Sequence, residues 1–322
     1  MLDGLFEGFA GLVFSRTGDK SATKVIVQPA SSFSLGEWAQ LTVGCVLCLL
    51  TCDGIAAAFG LPAEPGFNGS LLMAPGPVGS VLVALVAVAA ALIVGALVAG
   101  RIGVEAAVVC AGVGLAAVAA RCGPITPVLQ YAAGRGVFVA LAFETVLLAG
   151  AMGGGWWLLE RLAMAARAAS GDPAQRLGFP SEVTDATVGQ KFAVLGVAAL
   201  VSAVCELILV VLPAGKQAMC GVVIASFVGA WSAYQYLPLG EGIWYWTAPS
   251  AAGVVGYIIA FVTGDGGPIG ELHGWAGALA RPTPLDYASL GTAAALLGHW
   301  SSRRWAQAEE PPTLADPDAP PA

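Results

Sequence analysis

Residues Ser80–Gly100 read SVLVALVAVAAALIVGALVAG, twenty-one residues without a charge. Crossing the hydrocarbon layer of a bilayer takes about 20 apolar residues in helical form. Only a helix or a closed barrel can bring its backbone through that layer with every polar group satisfied. This stretch therefore reads as a membrane-spanning helix, and the rest of the chain can be read outward from it.

Comparable runs occur at Trp38–Leu61, Gly103–Ala120, Val137–Leu159, Phe192–Leu212, Gln217–Leu237 and Ile243–Thr263. An eighth, Leu285–Trp300, is shorter and begins beside Asp286. It spans if Arg303 and Arg304 reach back to the interface from a helix that runs past Trp300; seven spans is the alternative. The 322 residues are 57% hydrophobic and 11% charged, well below the roughly 25% charge of soluble domains. The fold class expected is an all-α, multi-pass membrane helical bundle of eight helices. The lipid bilayer is its solvent and the one partner the sequence implies.

The expected organisation follows from these runs. Residues 1–36 form an N-terminal amphipathic helix and polar linker, 37–160 a first four-span half and 161–191 a cytoplasmic linker. Residues 192–302 form a second four-span half, and 303–322 an acidic, Pro-rich disordered tail. The opening MLDGLFEGFAGLVF lacks the basic start of a secretory signal, and Asp3 and Glu7 interrupt it. Its Leu2, Leu5, Phe6, Phe9, Leu12 and Val13 recur at helical spacing. Ten of the fourteen Lys and Arg residues fall on one side if the N-terminus is cytoplasmic; Arg121, Arg135, Lys216 and Arg281 fall on the other. The positive-inside rule then places both termini in the cytoplasm of a cell membrane. The Ala-, Gly- and Val-rich composition suggests a bacterial inner membrane. Trp156, Trp157, Trp244, Tyr245, Trp246 and Trp300 fall near span ends and read as an aromatic belt.

An internal repeat is also suggested. Cys52-Asp53 is echoed by Cys205-Glu206, and each precedes a Leu-Pro-Ala, at Leu61-Pro62-Ala63 and Leu212-Pro213-Ala214. Ala111-Gly112-Val113 is echoed by Ala252-Gly253-Val254, and Gly123-Pro124-Ile125 by Gly267-Pro268-Ile269. Two four-span halves in the same orientation would form a parallel repeat.

Ionisable groups at membrane depth are expensive and mark function. Asp53, Glu144 and Glu206 lie well inside spans, with no Lys or Arg at the same depth. All three fall roughly 6 Å to the same side of the midplane at 1.5 Å per residue, a layer suited to holding an ion or a proton. The alternative is that each is protonated and bonded to a neighbouring helix. Glu105 reads as a surface partner of Arg101, four residues away. In one loop, Asp265, Glu271 and His273 form a second polar group, where a solvated loop histidine is the plain alternative. Gly150 and Gly154 in span 4 read as a close-packing surface.

Cys45, Cys48 and Cys52 make one helical stripe in CVLCLLTCDG. With no cation nearby to favour the thiolate, they read as packing residues and not as metal ligands. Seven cysteines, mostly in apolar runs, give no disulfide framework. No phosphate-binding, metalloprotease or nucleophile-elbow motif is present, so no metal or cofactor is expected. A net charge of −7 offers no basic surface to nucleic acid. Three functional classes stay open. The sequence favours a non-catalytic membrane scaffold or assembly component. A proton- or cation-coupled small-solute transporter or channel using the carboxyl layer is the alternative. A membrane enzyme is supported least.

Overall fold

The protein is described here from a computed structural model covering residues 33–60, 70–74, 76–123, 125, 134–170, 186–210, 215–263 and 275–309. Among these residues the regular secondary structure is all helical, with no strand. Helices α1 (Leu35–Ala58), α2 (Pro77–Ala99), α3 (Val104–Cys122), α4 (Gly136–Ser170), α5 (Val188–Leu209), α6 (Gly215–Tyr236) and α7 (Ile243–Thr263) contain the seven spans whose length and apolarity suffice to cross a bilayer. A short helix α8 (Trp275–Ala280) follows. The last helix, α9, is built of Pro284–Asp286, a π-helical turn Tyr287–Gly291, and Thr292–Glu309.

Local chemistry sets the helix starts. Ser34 caps α1 and Thr187 caps α5, each in a reciprocal capping box, with Glu37 and Gln190 respectively. Pro77 opens α2 and Pro284 opens α9, where the missing N–H costs nothing. Between α2 and α3 the chain reverses within a few residues, and Gly103 at φ 151° takes a conformation that side chains disfavour. Two expected boundaries move. Helix α4 runs on to Ser170, into the expected linker, because its Ala-rich sequence has no breaker before Gly171-Asp172-Pro173. Helix α9 runs through Arg303 to Glu309, so the first part of the expected disordered tail is helical.

The surface and interior are inverted relative to a water-soluble protein. Val46, Leu50, Leu82, Ile93, Leu97, Leu200, Ile208 and Val262 all point outward. The interior is largely Ala, Gly, Cys and Ser. Small residues let helix backbones approach closely, which is how helices associate in lipid. A β-carbon at Gly95 of α2 would lie 2.7 Å from the carbonyl oxygen of Ala107 in α3. The cysteine stripe works in the same way. Cys48 and Cys52 of α1 are fully buried and donate to the carbonyls of Ala91 and Ala87 in α2.

Helix α9 fills the middle. It packs against α3, α6 and α7, and nearly every residue from Pro284 to Trp300 is buried. Protein, not lipid, surrounds it, so it needs less apolarity than the seven spans around it. Its 26 residues reach roughly 39 Å. Asp286 lies near Tyr257 at one face of the bundle, and the Trp300 indole bonds Glu105 at the other. These are called below the Tyr257 end and the Glu105 end.

Helices of the two expected halves interleave: α3 packs on α9, and α4 on α7. Within the first half α1, α2 and α3 pack on one another. In the second, α6 lies between α5 and α9. The pairs α1–α2 and α1–α3 have counterparts in α5–α6 and α5–α7, and α3–α9 has its counterpart in α4–α7.

Two expected surfaces are corrected. Tyr245, Trp246 and Trp300 are at most 5% exposed, so they are core residues and not an interfacial belt; Trp157 does face outward. Gly150 and Gly154 have nothing within 4 Å of a notional β-carbon, so among the described residues they pack against no helix. Their α4 face is turned away from α7.

Candidate functional site

Three buried carboxyls gather toward the Tyr257 end, carried by α4, α5 and α9. Glu144 and Glu206 are fully buried, and Asp286 is 8% exposed. Tyr257 of α7 lies within electrostatic reach of all three, and Cys122 at the end of α3 within reach of Glu144 and Asp286. An apolar shell of Ile125, Phe138, Leu141, Val222 and Ala260 packs around the two tyrosines, Tyr257 and Tyr287.

Each acid is held differently. Glu144 Oε2 accepts the hydroxyl of Ser70 at 2.6 Å and the backbone N–H of Leu72 at 3.3 Å, both from the α1–α2 connection. Asp286 closes a capping box, with Oδ2 accepting from the N–H of Thr283 at 2.8 Å and its own N–H donating to Thr283 Oγ1. Glu206 meets the hydroxyl of Tyr287 at 2.8 Å. Among the described residues these donors are uncharged. The second oxygens, Oε1 of Glu144 and of Glu206, are buried with no hydrogen-bond partner among the described residues. Leaving a buried polar atom bare costs about 1–3 kcal/mol.

The backbone above the acids is irregular. Between α8 and α9 the chain leaves helical form at residues 281–283. Such backbone is tolerated at membrane depth only when protein covers it, and Pro282 and Thr283 are buried. Two phenols hold the connection: Tyr257 donates to the carbonyl of Pro282, and the Tyr287 hydroxyl lies 3.0 Å from that of Leu279. The guanidinium of Arg281 donates to the carbonyl of Val210 at the end of α5. Directly below is the π-helical turn, a widened turn that occurs often at functional sites. Two glycines clasp it. A β-carbon at Gly112 of α3 would lie 2.7 Å from the Ser289 carbonyl, and one at Gly253 of α7 would lie 2.5 Å from the Tyr287 ring. The two Ala-Gly-Val stretches singled out in the sequence thus grip one turn from two sides.

The Tyr287 hydroxyl sets up a choice of proton position. It has one proton and two neighbours, Glu206 Oε2 and the Leu279 carbonyl, and the carbonyl can only accept. If Glu206 is ionised, the phenol donates to it and the carbonyl is left bare. If Glu206 carries a proton, it donates to the phenol, which donates onward to Leu279. The two arrangements differ by one proton and by whether α8 is tied to α9.

The expected layer is thus regrouped. Glu206 and Asp286 lie within electrostatic reach of each other, and both share the neighbour Tyr257 with Glu144; Asp286 stands at the start of the expected span 8. Asp53 does not join them. Its side chain is 51% exposed and accepts from Arg121 Nε at 2.6 Å; Arg121 lies one residue past the expected end of span 3 at Ala120. Asp265, Glu271 and His273 lie outside the described residues. The signals that could have revealed the tyrosines were the placements of Tyr257 and Tyr287 inside spans near the same end.

The Glu105 end has a different character. Glu105 accepts from the indole of Trp300 at 2.7 Å and the N–H of Gly242 at 3.1 Å. It therefore faces α9 inside the bundle, and the expected surface pair with exposed Arg101 does not form. Lys191 pairs with Glu241 at 2.7 Å, and Glu241 also accepts from the indole of Trp244. Here Lys191 is paired and the indoles of Trp244 and Trp300 are capped, so this network ties helices together. No protein-family model, curated protein or solved structure matches the chain, so a functional reading rests on these residues alone.

Proposed function

We propose that this membrane protein is a proton- or cation-coupled transporter of a small solute, with Glu144, Glu206 and Asp286 as its ion or proton site. The observation that carries this reading is the gathering of three buried carboxyls under a broken helix, two of them with an oxygen left bare. Carboxyls at membrane depth that face the bundle interior mark ion and proton pathways, and broken helices often form such sites in transporters. Tyr287 supplies the coupling. Loss of the Glu206 proton draws the phenol away from Leu279 and frees the α8–α9 connection, and its return closes the latch. By the positive-inside rule the Glu105 end faces the cytoplasm and the Tyr257 end the opposite side. Asp53, exposed and paired with Arg121, has no part in this mechanism.

The test is reconstitution into liposomes holding a pH-sensitive dye, under imposed proton, Na+ or K+ gradients, with a panel of amino acids, sugars and nucleosides outside. The expected result is ion movement in the native protein that Glu206→Gln and Glu144→Gln each reduce at least tenfold. Native protein indistinguishable from empty liposomes under every gradient sinks the proposal.

One observation favours the second reading, a membrane scaffold. Among the described residues nothing occupies the Gly150–Gly154 face of α4, and small residues spaced four apart suit another helix. Cysteine cross-linking at Gly150 in native membranes tests it: a specific protein adduct supports a scaffold, and lipid-only labelling counts against it.

A further inference from the structure

The echoes in the sequence extend to the fourth helix of each expected half. Gly155-x-Trp157-x-x-x-Arg161 in α4 returns as Gly298-x-Trp300-x-x-x-Arg304 in α9. The offset is 143 residues, between the 141 of the Ala-Gly-Val pair and the 144 of the Gly-Pro-Ile pair. The two glycines also hold equivalent places. A β-carbon at Gly155 would strike Leu92 of α2, and one at Gly298 the Phe227 carbonyl of α6. Each fourth helix thus leans on the second helix of its own half and on the third helix of the other. Helix α4 packs on α2 and α7, and α9 on α6 and α3. The pairs α1–α2, α1–α3, α2–α3 and α3–α4 answer to α5–α6, α5–α7, α6–α7 and α7–α9.

In a two-fold arrangement, a pair that is its own counterpart must straddle the axis. Here that pair is α4 and α9, which touch at Pro284–Gly291, and both α3 and α7 pack on each of them. Both polar clusters are built on these four helices. At the Tyr257 end they supply Cys122, Glu144, Tyr257 and Asp286. At the Glu105 end, Glu105 of α3 accepts from Trp300 of α9 and lies within electrostatic reach of Glu160 of α4 and Arg303 of α9. At the offset of 141, the counterpart of Glu105 is Trp246 of α7. Its ring lies 3.9 Å from a notional β-carbon at Gly153 of α4. One third helix therefore grips α9 through Glu105, and the other leans on α4 through Trp246.

We propose that the chain is two four-helix units that exchange their fourth helices, and that the axis between them is the path to the carboxyl cluster. The Glu105–Trp300 bond is the gate on that path at the Glu105 end. Breaking it frees α3 from α9, and losing the Gly242 N–H contact frees α3 from the α6–α7 connection. Parallel repeats can rock against each other about a site fixed between them, and single polar contacts release more readily than the small-residue faces that hold each unit together. The use of this gate in transport rests on the proton- or cation-coupled reading above. The opening of the axis does not, and the two are tested separately.

The experiment uses the full chain in lipid nanodiscs and a water-soluble maleimide, with mass spectrometry reading each cysteine separately. Cys122, buried at the carboxyl cluster, reports on the axis. Cys48 and Cys52, buried between α1 and α2, report on the rest of the bundle. Trp300→Phe removes the N–H donor to Glu105. The expected result is that Cys122 is labelled at least fivefold faster than in the native protein, while Cys48 and Cys52 keep their native rates. If that variant does not fold, Glu105→Gln is read in the same way. An unchanged Cys122, or three cysteines that rise together, overturns the gate, because the bond is then only a structural tie. Trp246→Leu opens the counterpart contact with α4 and is expected to raise Cys122 labelling as well; a native rate there removes the two-fold relation. Gated labelling of Cys122 in a protein that moves no ion in liposomes keeps the axis and removes the transport reading. Carboxyl-dependent ion movement beside an unchanging Cys122 removes the gate alone.

Discussion

Cys52-Asp53 in α1 and Cys205-Glu206 in α5 are both a cysteine followed by an acid within a span, and they present opposite members to the interior. In α1 the cysteine is fully buried and the acid is half-exposed, paired with Arg121. In α5 the acid is fully buried and the cysteine sits at the edge. One residue is 100° of helix, so the two helices differ in rotation by about one position. The inward stripes show why. In α1 it runs Gly44, Cys48, Cys52, Ala56, and in α5 it runs Val194, Ala198, Ser202, Glu206. Both keep a spacing of four. Glu206 occupies the slot that Cys52 fills in α1, so one helix presents a thiol to its neighbour's backbone and the other a carboxyl to a tyrosine.

Exchanging the order within each phrase tests this directly and carries the largest expected effect. Cys52→Asp with Asp53→Cys forces a carboxyl against the Ala87 carbonyl. Cys205→Glu with Glu206→Cys turns the acid toward lipid. Each is expected to cost about 3 kcal/mol or more, read as a loss of folded protein in detergent; a protein that tolerates both swaps would contradict the assigned rotations. Next come the glycines that hold the turn beside Glu206. Gly112→Leu and Gly253→Leu should each destabilise by about 1–3 kcal/mol, seen as a lower thermal midpoint, whereas Gly150→Leu should leave that midpoint unchanged.

Tyr287→Phe removes the hydroxyl between Glu206 and Leu279. It should cost about 1–2 kcal/mol and shift the infrared carboxyl band of Glu206, a band identified by its loss in Glu206→Gln. An unshifted band would mean that the phenol does not reach the acid. The smallest effect belongs to Asp53→Asn. Its own side chain is half-exposed and solvent can replace the lost contact, so thermal stability and any ion movement should match the native protein.

How much of this was legible in the sequence depends on which physical signal a residue gives. Apolar runs are long and contiguous, so the seven spans stood out, and capping residues such as Thr187 refine their starts. Helix α9 gave a weak signal because a helix enclosed by protein has no need to be apolar throughout. The acids were sorted by depth, which composition along the chain supplies. They were not sorted by face, which depends on rotation, and so Asp53 was grouped with Glu206. The four-residue spacing of Val194, Ala198, Ser202 and Glu206 held that information, but it becomes an inward face only once α6 and α9 are known to lie against it. The contact of Ser70 with Glu144 joins two segments that no local pattern connects.

The burial of α9 has a consequence for how the chain is made. Thr283, Asp286, Ser289, Thr292, His299, Ser302 and Arg303 are all buried on this one helix. A segment so polar partitions poorly into lipid by itself as it leaves the translocation channel. It can settle at full depth once α3, α6 and α7 offer a slot lined by their own small residues. Biogenesis is therefore ordered: the seven spans before it insert on their hydrophobicity, and α9, synthesised after them, enters on the strength of its neighbours, as the post around which the bundle stands.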